Sequence, residues 1–222
     1  MERKVRMQEN GIRINKYLSE AGVCSRREAD RQIELGNVSI DGKTAETGAR
    51  VFEGQTVCYC GKPVSKEQEM ILLAFHKPVG IVCTAEKREK NNVIDYLKYP
   101  KRIYPVGRLD KDSEGLLLMT NNGEIVNKIM RAGNRHEKEY LVTVNKPVTD
   151  SFIRGMAGGV PLVELGTQTR KCKVEKTGKR QFRIILTQGL NRQIRRMCEY
   201  LGYQVRTLKR IRIMNLTIQG LA

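Results

Sequence analysis

The chain has 222 residues, 29% of them charged and 40% hydrophobic, the balance of a folded protein rather than a disordered one. Lysine and arginine number 41 against 24 acidic residues, a net charge of +17 that points to a polyanionic partner, nucleic acid well before an anionic membrane. No run of eighteen apolar residues occurs, and the opening MERKVRMQENGIR lacks the apolar stretch of a signal peptide, so a cytoplasmic protein without a membrane role is expected.

Residues 1–10 are polar and charged and read as a basic arm. IRINKYLSEAG then sets Ile14, Tyr17 and Leu18 at helical spacing, with Gly22 as a stop. In SRREADRQIELG, Ser25 followed by Glu28 is a capping box. Ala29, Ile33 and Leu35 are expected to supply the buried side of this second helix, and Gly36 to end it. NVSIDGKTAET reads as a hairpin about Asp41-Gly42, and QTVCYCG as a further β-element. Charge on a surface helix is ordinary. Arg26 and Arg27, however, occupy a first helical turn, where the dipole favours acids. That points to an anion met by Arg26, Arg27 and Arg31, with Arg13 and Lys16 on the first helix.

The polar segment 61–70, with Pro63, reads as a linker. Apolar strands follow in ILLAFHKP, GIVCT, RIYPVG, GLLLMTN, KEYLVTV, FRIILT and QVRTLKRIRIMNLTI. Between them lie helical segments at Val93–Leu97, Gly123–Arg131, Asp150–Met156 and Asn191–Leu201. Strands outnumber helices without alternating regularly, which favours an α+β domain on a mostly antiparallel sheet over a doubly wound one. Six cysteines without a C-x-x-C pair, and only two histidines, supply a zinc site poorly. Cys58 and Cys60 read as reduced thiols of a β-element, and no metal is expected.

GRLDKDSEGLLLMTN, residues 107–121, sets Asp110, Asp112 and Glu114 at alternate positions before Gly115, the opening of a calcium loop. The loop's twelfth position is Asn121 rather than a bidentate Glu, and strands rather than helices flank it. Calcium is excluded. What remains is either a turn in which Asp110 caps the backbone and Arg108 pairs with it, or one working carboxylate among arginines. In residues 191–201, Ile194, Met197, Cys198 and Leu201 make an apolar stripe, with Arg192 and Arg196 on the opposite side, where RNA or water would lie. Arg195 falls on the stripe's border, able to reach inward or to pair with Glu199 at i, i+4.

RINKYLSEAGVCSRREADRQIELGNVSIDGK resembles the S4 RNA-binding domain, which implies a helical face gripping structured RNA, with Arg13, Lys16, Ser25, Arg26, Arg27 and Arg31 as its contacts. YPVGRLDKDSEGLLLMTNNGE resembles the core motif of the pseudouridine synthases that carry an N-terminal S4 domain. HKPVGIVCT, HEKEYLV and GLNRQIRRMCEYLGYQVRTLKRIRI match their other motifs in order, so the resemblance spans residues 11–219. RAGNRHEKEYLVTV and QGLNRQIRRMCEYLGY are most similar to the F type, which acts on a uridine of 23S rRNA and also on a tRNA. Members of the family continue past the last strand with a G-x-W-R-x-L segment, whereas this sequence ends at QGLA and holds no tryptophan.

With the arm at 1–10 and the linker at 61–70 read from composition, the resemblance implies an S4-like domain at 11–60 and a pseudouridine synthase domain at 71–222. It implies Asp110 as nucleophile, Tyr140 packing against the target uracil and assisting proton transfer, and Arg195 paired with Asp110. It implies Arg108 filling the gap left by the flipped nucleotide and a reaction without cofactor, while the helical spacing sets Arg192 and Arg196 toward RNA and a monomer is the default expectation. The chemistry agrees with these assignments, because a carboxylate can open a covalent route and be released unchanged, and a stacked base must be extracted before it reacts. Burial can raise a carboxyl pKa by about 3–5 units, which a nearby arginine would reverse. Lys77 and Pro78 read as structural, fixing the turn after the first strand of the larger domain. The competing reading is a non-catalytic S4-type RNA-binding or ribosome-assembly protein. A phosphate-metabolising enzyme is weaker, since no G-x-x-x-x-G-K-[ST] loop occurs.

Overall fold

The computed structural model describes residues 11–65, 69–86, 88–130, 133 and 135–221. The basic arm at 1–10 lies outside the described residues. The chain divides into two compact units. One holds the residues up to Ile71 with Tyr99–Ile103 and Asn121–Gly123; the other holds Leu72–Lys98, Tyr104–Thr120 and the chain from Glu124 onward.

The first unit begins with strand β1 (Ile12–Arg13), helix α1 (Ile14–Glu20) and helix α2 (Arg26–Glu34). Ser25 caps α2, its hydroxyl accepting from the Glu28 amide at 3.2 Å. The reciprocal half of the capping box does not form, because the Glu28 carboxylate accepts from Gln32 at 2.9 Å and pairs with Arg31. Strands β2 (Val38–Ile40) and β3 (Lys43–Thr44) form the expected hairpin. Asp41 and Gly42 both take positive φ, 49° and 78°, as a tight two-residue turn between twisted strands requires. Strand β4 (Arg50–Val51) pairs with β1. Strands β5 (Val57–Tyr59) and β6 (Lys62–Val64) complete a four-stranded sheet in the order β3-β2-β5-β6.

Residues 62–64, expected in the linker, belong to this sheet instead. Val64 lies across from Val57 and packs against the unit's core, which holds residues 62–64 in the sheet. That core is Ile14, Leu18, Ala29, Ile33, Val38, Ala45, Val51 and Val57. Leu35, expected among them, is 69% exposed. It lies two residues past Ile33, about 200° around the helix, so it faces away from the buried stripe.

The second unit is built on one sheet: β7 (Leu72–Lys77), β8 (Tyr104–Val106), β9 (Glu114–Thr120), β10 (Lys138–Val144), β13 (Lys173–Gly178), β14 (Gln181–Leu186), β15 (Val205–Ile213) and β16 (Leu216–Thr217). The short strands β11 (Pro161–Leu162) and β12 (Thr167–Gln168) pair with each other outside it. The order is β13-β14-β10-β15-β9-β7, with β8 against β9 and β16 against β15. Its pairings are antiparallel except for β9 with β15, which run parallel over Glu114–Lys209 and Gly115–Arg210. This is the mostly antiparallel α+β sheet expected from the unalternated strands.

Helices α3 (Val93–Leu97), α4 (Gly123–Met130), α5 (Asp150–Gly158) and α6 (Gln193–Tyr200) fall where the sequence periodicity puts them. Phe152 and Met156 of α5, with Ile194, Met197 and Cys198 of α6, cover one face of β10, β14 and β15 through Val142, Phe182, Ile184 and Leu208. GIVCT does not form the expected strand; within it only Val82 bridges, to Asn92. The Ile81 carbonyl instead accepts from Lys77 at 2.8 Å and the Val82 carbonyl from Val93 at 2.9 Å, so the segment has its acceptors engaged outside a ladder. Lys77 is fully buried and also donates to the Pro78 carbonyl at 2.7 Å, the turn-fixing part expected of it. Burial pushes its pKa down, opposed by Cys83, Asp110, Asp112 and Glu114.

Candidate active site

The loop between β8 and β9 carries Asp110 in a tight turn, closed by the Ser113 amide donating to the Asp110 carbonyl at 3.0 Å. Its entrance is pinned by the Leu109 amide on the Cys83 sulfur at 3.3 Å, and the Gly80 amide donates to the Lys111 carbonyl at 2.8 Å. After this turn β9 passes so close to β15 that a Cβ on Gly115 would lie 2.2 Å from the Arg210 carbonyl oxygen, and Gly115 has φ 115°. Only glycine fits both the approach and the backbone angle.

A cavity of about 480 Å³ opens beside this turn, lined by Arg108, Asp110 and Ser113 from the loop, Lys138 and Tyr140 from β10, Arg192 and Arg195 from the start of α6, and Arg210 from β15. Four residues of the sequence reading, Asp110, Tyr140, Arg195 and Arg108, thus meet at one cavity. Lys138 and Tyr140 alternate on the same face of β10, and Arg210 lies across from Tyr140 in the register. The Asp110 side chain keeps 37% exposure, so its carboxylate stands at the cavity's open side rather than buried.

The expected ion pair between Arg195 and Asp110 is not the one formed. Arg192 Nη1 stands 3.9 Å from Asp110 Oδ2. Arg192 precedes the first turn of α6 and adopts a left-handed conformation, φ 50°, which breaks the helical phase that assigned it to the outer side. Arg195, 9% exposed, donates from Nη2 to the Asp112 carbonyl at 2.8 Å and to the Ser113 hydroxyl at 3.3 Å. It clamps the turn that carries Asp110, and its buried Nε has no hydrogen-bond partner among the described residues. Arg196, expected to face RNA, pairs with Glu164 and donates from Nε to the Asn191 carbonyl at 3.2 Å.

Two basic side chains of this cavity, both buried, were missed by the sequence reading. Arg210, 2% exposed, donates from Nε to the Leu116 carbonyl at 2.7 Å and from Nη1 to the Arg108 carbonyl at 3.4 Å, tying both ends of the Asp110 loop to β15. Lys138 is 8% exposed, and burial together with the Arg210 charge pushes its pKa down. An alternating strand such as KEYLVTV or VRTLKRIRI gives no sign of which of its cations turns inward. Among the described residues no group of three or more histidine, cysteine, aspartate or glutamate side chains is placed to hold a metal ion, and no helix is long and apolar enough to cross a membrane.

In the first unit Arg13, Ser25, Arg26, Arg27 and Arg31 are exposed and Lys16 is half-buried. Lys16 pairs with Glu20 at 3.4 Å and Arg31 with Glu28. The Ser25 hydroxyl accepts the α2 cap bond.

Comparison with known proteins agrees with this architecture. The family model for RNA pseudouridylate synthase matches residues 71–200, and that for the S4 domain matches residues 12–57. The chain therefore belongs to the RNA pseudouridylate synthase family, isomerases that act on RNA, and carries an S4 domain before the catalytic one. It is 57% identical over 215 residues to the dual-specificity RNA pseudouridine synthase RluF of Salmonella typhi, covering 96% of this chain and 74% of that one. Against the protein of that name from Escherichia coli strain K12 the identity is 55%, covering 96% and 73%. The ribosomal large subunit pseudouridine synthase B of Bacillus subtilis is 35% identical, covering 94% and 88%. A crystal structure of a pseudouridylate synthase superposes with a TM-score of 0.68 at 25% identity, covering 95% of this chain and 93% of that one.

Proposed function

We propose that this protein converts one specific uridine of 23S rRNA to pseudouridine, with a tRNA uridine as a second substrate, and that Asp110 is its nucleophile. The observation that carries the reading is the meeting of Asp110 and Tyr140 in the lining of one cavity, with the Asp110 loop held by buried arginines. The likeness to dual-specificity synthases over nearly the whole chain supports the substrate class.

The target nucleotide leaves its stack, and the exposed Arg108 guanidinium takes the vacated space. The uracil enters the cavity and packs on Tyr140, whose phenol is available for proton transfer. An Asp110 carboxylate oxygen bonds to C1′ of the ribose as the C1′–N1 bond breaks, and the base departs with the electron pair. After the base turns, C5 bonds to C1′ and Asp110 is released unchanged. A proton then leaves C5 and N1 gains one. Arg195 works by holding the backbone of the Asp110 turn, and Arg192 keeps a positive charge near the carboxylate. The S4 unit grips structured RNA through Arg13, Lys16, Arg26, Arg27 and Arg31, with Ser25 holding the helix that presents the last three.

The test is to map pseudouridines in the RNA of cells lacking this protein, and again after supplying wild type or Asp110→Asn. One 23S site that vanishes and returns only with wild type is the expected result. No change at any site would favour the non-catalytic RNA-binding reading.

A further inference from the structure

Lys138 and Arg210 present a problem that the reaction as described leaves unsolved. Both are more than nine-tenths buried and both line the cavity, and burial, with the Arg210 charge second, pushes the Lys138 pKa down. Among the described residues no ion pair forms with either. Arg210 spends its Nε and Nη1 on backbone carbonyls, and its buried Nη2 has no hydrogen-bond partner among the described residues. Burying one charge without a counter-ion costs several kcal/mol in proteins, and two adjacent like charges cost more. A fold keeps such a pair against that cost where negative charge is to be met.

The chemistry says where negative charge appears. Before the C1′–N1 bond breaks, the charge of the reacting pair is on the Asp110 carboxylate. Once Asp110 bonds to C1′ and the electron pair goes to N1, the charge has moved to the uracil, spread over N1, O2 and O4. Asp110 is then a neutral ester, and Arg192 no longer faces a carboxylate charge there. The base, if packed on Tyr140, lies one strand-repeat from Lys138 on the same face of β10, about 7 Å along the strand, a span the lysine side chain covers. Arg210 stands directly across from Tyr140.

We propose, building on the uracil placement above, that Lys138 is a catalytic residue whose ammonium group contacts the departing uracil and stabilises its negative charge, with Arg210 as the fixed buried charge behind it. The arrangement acts as an oxyanion hole does: the donors are in place before the charge forms, in a site with little water to weaken them. Removing one donor from such a hole typically costs about 10²- to 10³-fold in rate. Arg210 has a second duty, since it ties Arg108 and Leu116, so its replacement would disturb the Asp110 loop as well. Lys138 is the cleaner probe.

The experiment uses Lys138→Met, which keeps the side chain's length and removes its charge. The substrate is an RNA stem-loop containing the mapped uridine, made with either uridine or 5-fluorouridine at that position. The fluorine withdraws electrons and makes the departing base a weaker base, which needs less help. Loss of the starting nucleoside is followed in single turnover with enzyme in excess. On uridine, the variant is expected to be about 10²-fold slower or more at unchanged RNA affinity. On 5-fluorouridine the deficit is expected to shrink by about tenfold. Thermal unfolding provides the second readout, where relief of an unpaired buried charge predicts a melting temperature equal to or above wild type.

Equal deficits on the two substrates would overturn the proposal, because a merely structural role does not sense the leaving group. Weakened RNA binding, with a salt dependence shallower by about 0.7–0.9 and an intact rate, would also overturn it and make Lys138 a phosphate contact. A variant that turns over as fast as wild type removes Lys138 from the chemistry while leaving the proposed reaction standing. Wild type inert on every uridine RNA tested would instead remove the proposed function itself.

Discussion

The two units carry their positive charge in opposite ways. In the S4 unit Arg26, Arg27 and Arg31 stand exposed on the surface of α2, Arg31 paired with Glu28 a turn away. In the catalytic unit Arg195, Arg210, Lys77 and Lys138 are buried, and the donors of the first three go mainly to backbone carbonyls, with no ion pair to any of the four among the described residues. Exposed cations cost the fold little and give salt-sensitive grip on phosphate. Buried ones cost the fold and act where water is scarce, so they shape a reaction rather than an affinity. Net charge alone would count them together.

The difference can be broken by four further variants, in descending order of effect. Asp110→Asn should lower single-turnover pseudouridine formation by at least about a thousandfold, while filter binding finds the RNA affinity within a few-fold of wild type. Residual turnover within tenfold would remove Asp110 as nucleophile. Arg195→Ala should cost about 1–3 kcal/mol of stability, read by urea unfolding, since it strips the buried Ser113 hydroxyl and Asp112 carbonyl of their donor. Turnover should fall with it as the Asp110 turn loosens, whereas a variant of full activity would show the clamp to be dispensable. Ser25→Ala should cost about 1 kcal/mol through loss of the α2 cap, confined to the first unit, with the catalytic rate at saturating RNA unchanged. The double replacement Arg26→Ala with Arg27→Ala should alter stability by less than about 0.5 kcal/mol. Its effect belongs in binding, where the slope of log affinity against log salt should become shallower by about 1.4–1.8. An unchanged slope would mean these arginines do not meet phosphate.

Much of the fold was legible because its signals were local. The Asp41-Gly42 turn, the Ser25 cap and the apolar stripe of α6 each follow from a few adjacent residues. What escaped depended on partners distant in the chain. Strand β13, with Lys173, Glu175 and Lys176, has no apolar run to announce it, and forms by pairing with β14. Arg192 looked outward on a helical wheel, but its left-handed backbone takes it off the helix and toward Asp110. Asp110, Tyr140, Arg195 and Arg108 were readable as members of one site through the family motifs. The bond that Arg195 makes was not, because hydrogen-bond partners 83 residues apart leave no trace in spacing. Lys138 and Arg210 looked like any polar members of alternating strands.

The parallel contact of β9 with β15 has a consequence for how the molecule comes to be active. Asp110 belongs to the half-sheet of β7, β8 and β9, while Tyr140, Lys138 and Arg195 belong to the half made of β10, β14, β15 and the helix packed on them. The halves are stitched at Gly115 by a two-residue ladder and by the Arg210–Leu116 bond, between partners 94 residues apart. Closing so long a loop is among the slower steps available to a chain. A molecule that has folded each half but not joined them has much of its native secondary structure and no catalytic site. In refolding, recovery of turnover should therefore lag behind recovery of far-ultraviolet ellipticity, making the enzyme a timer for its own last long-range pairing.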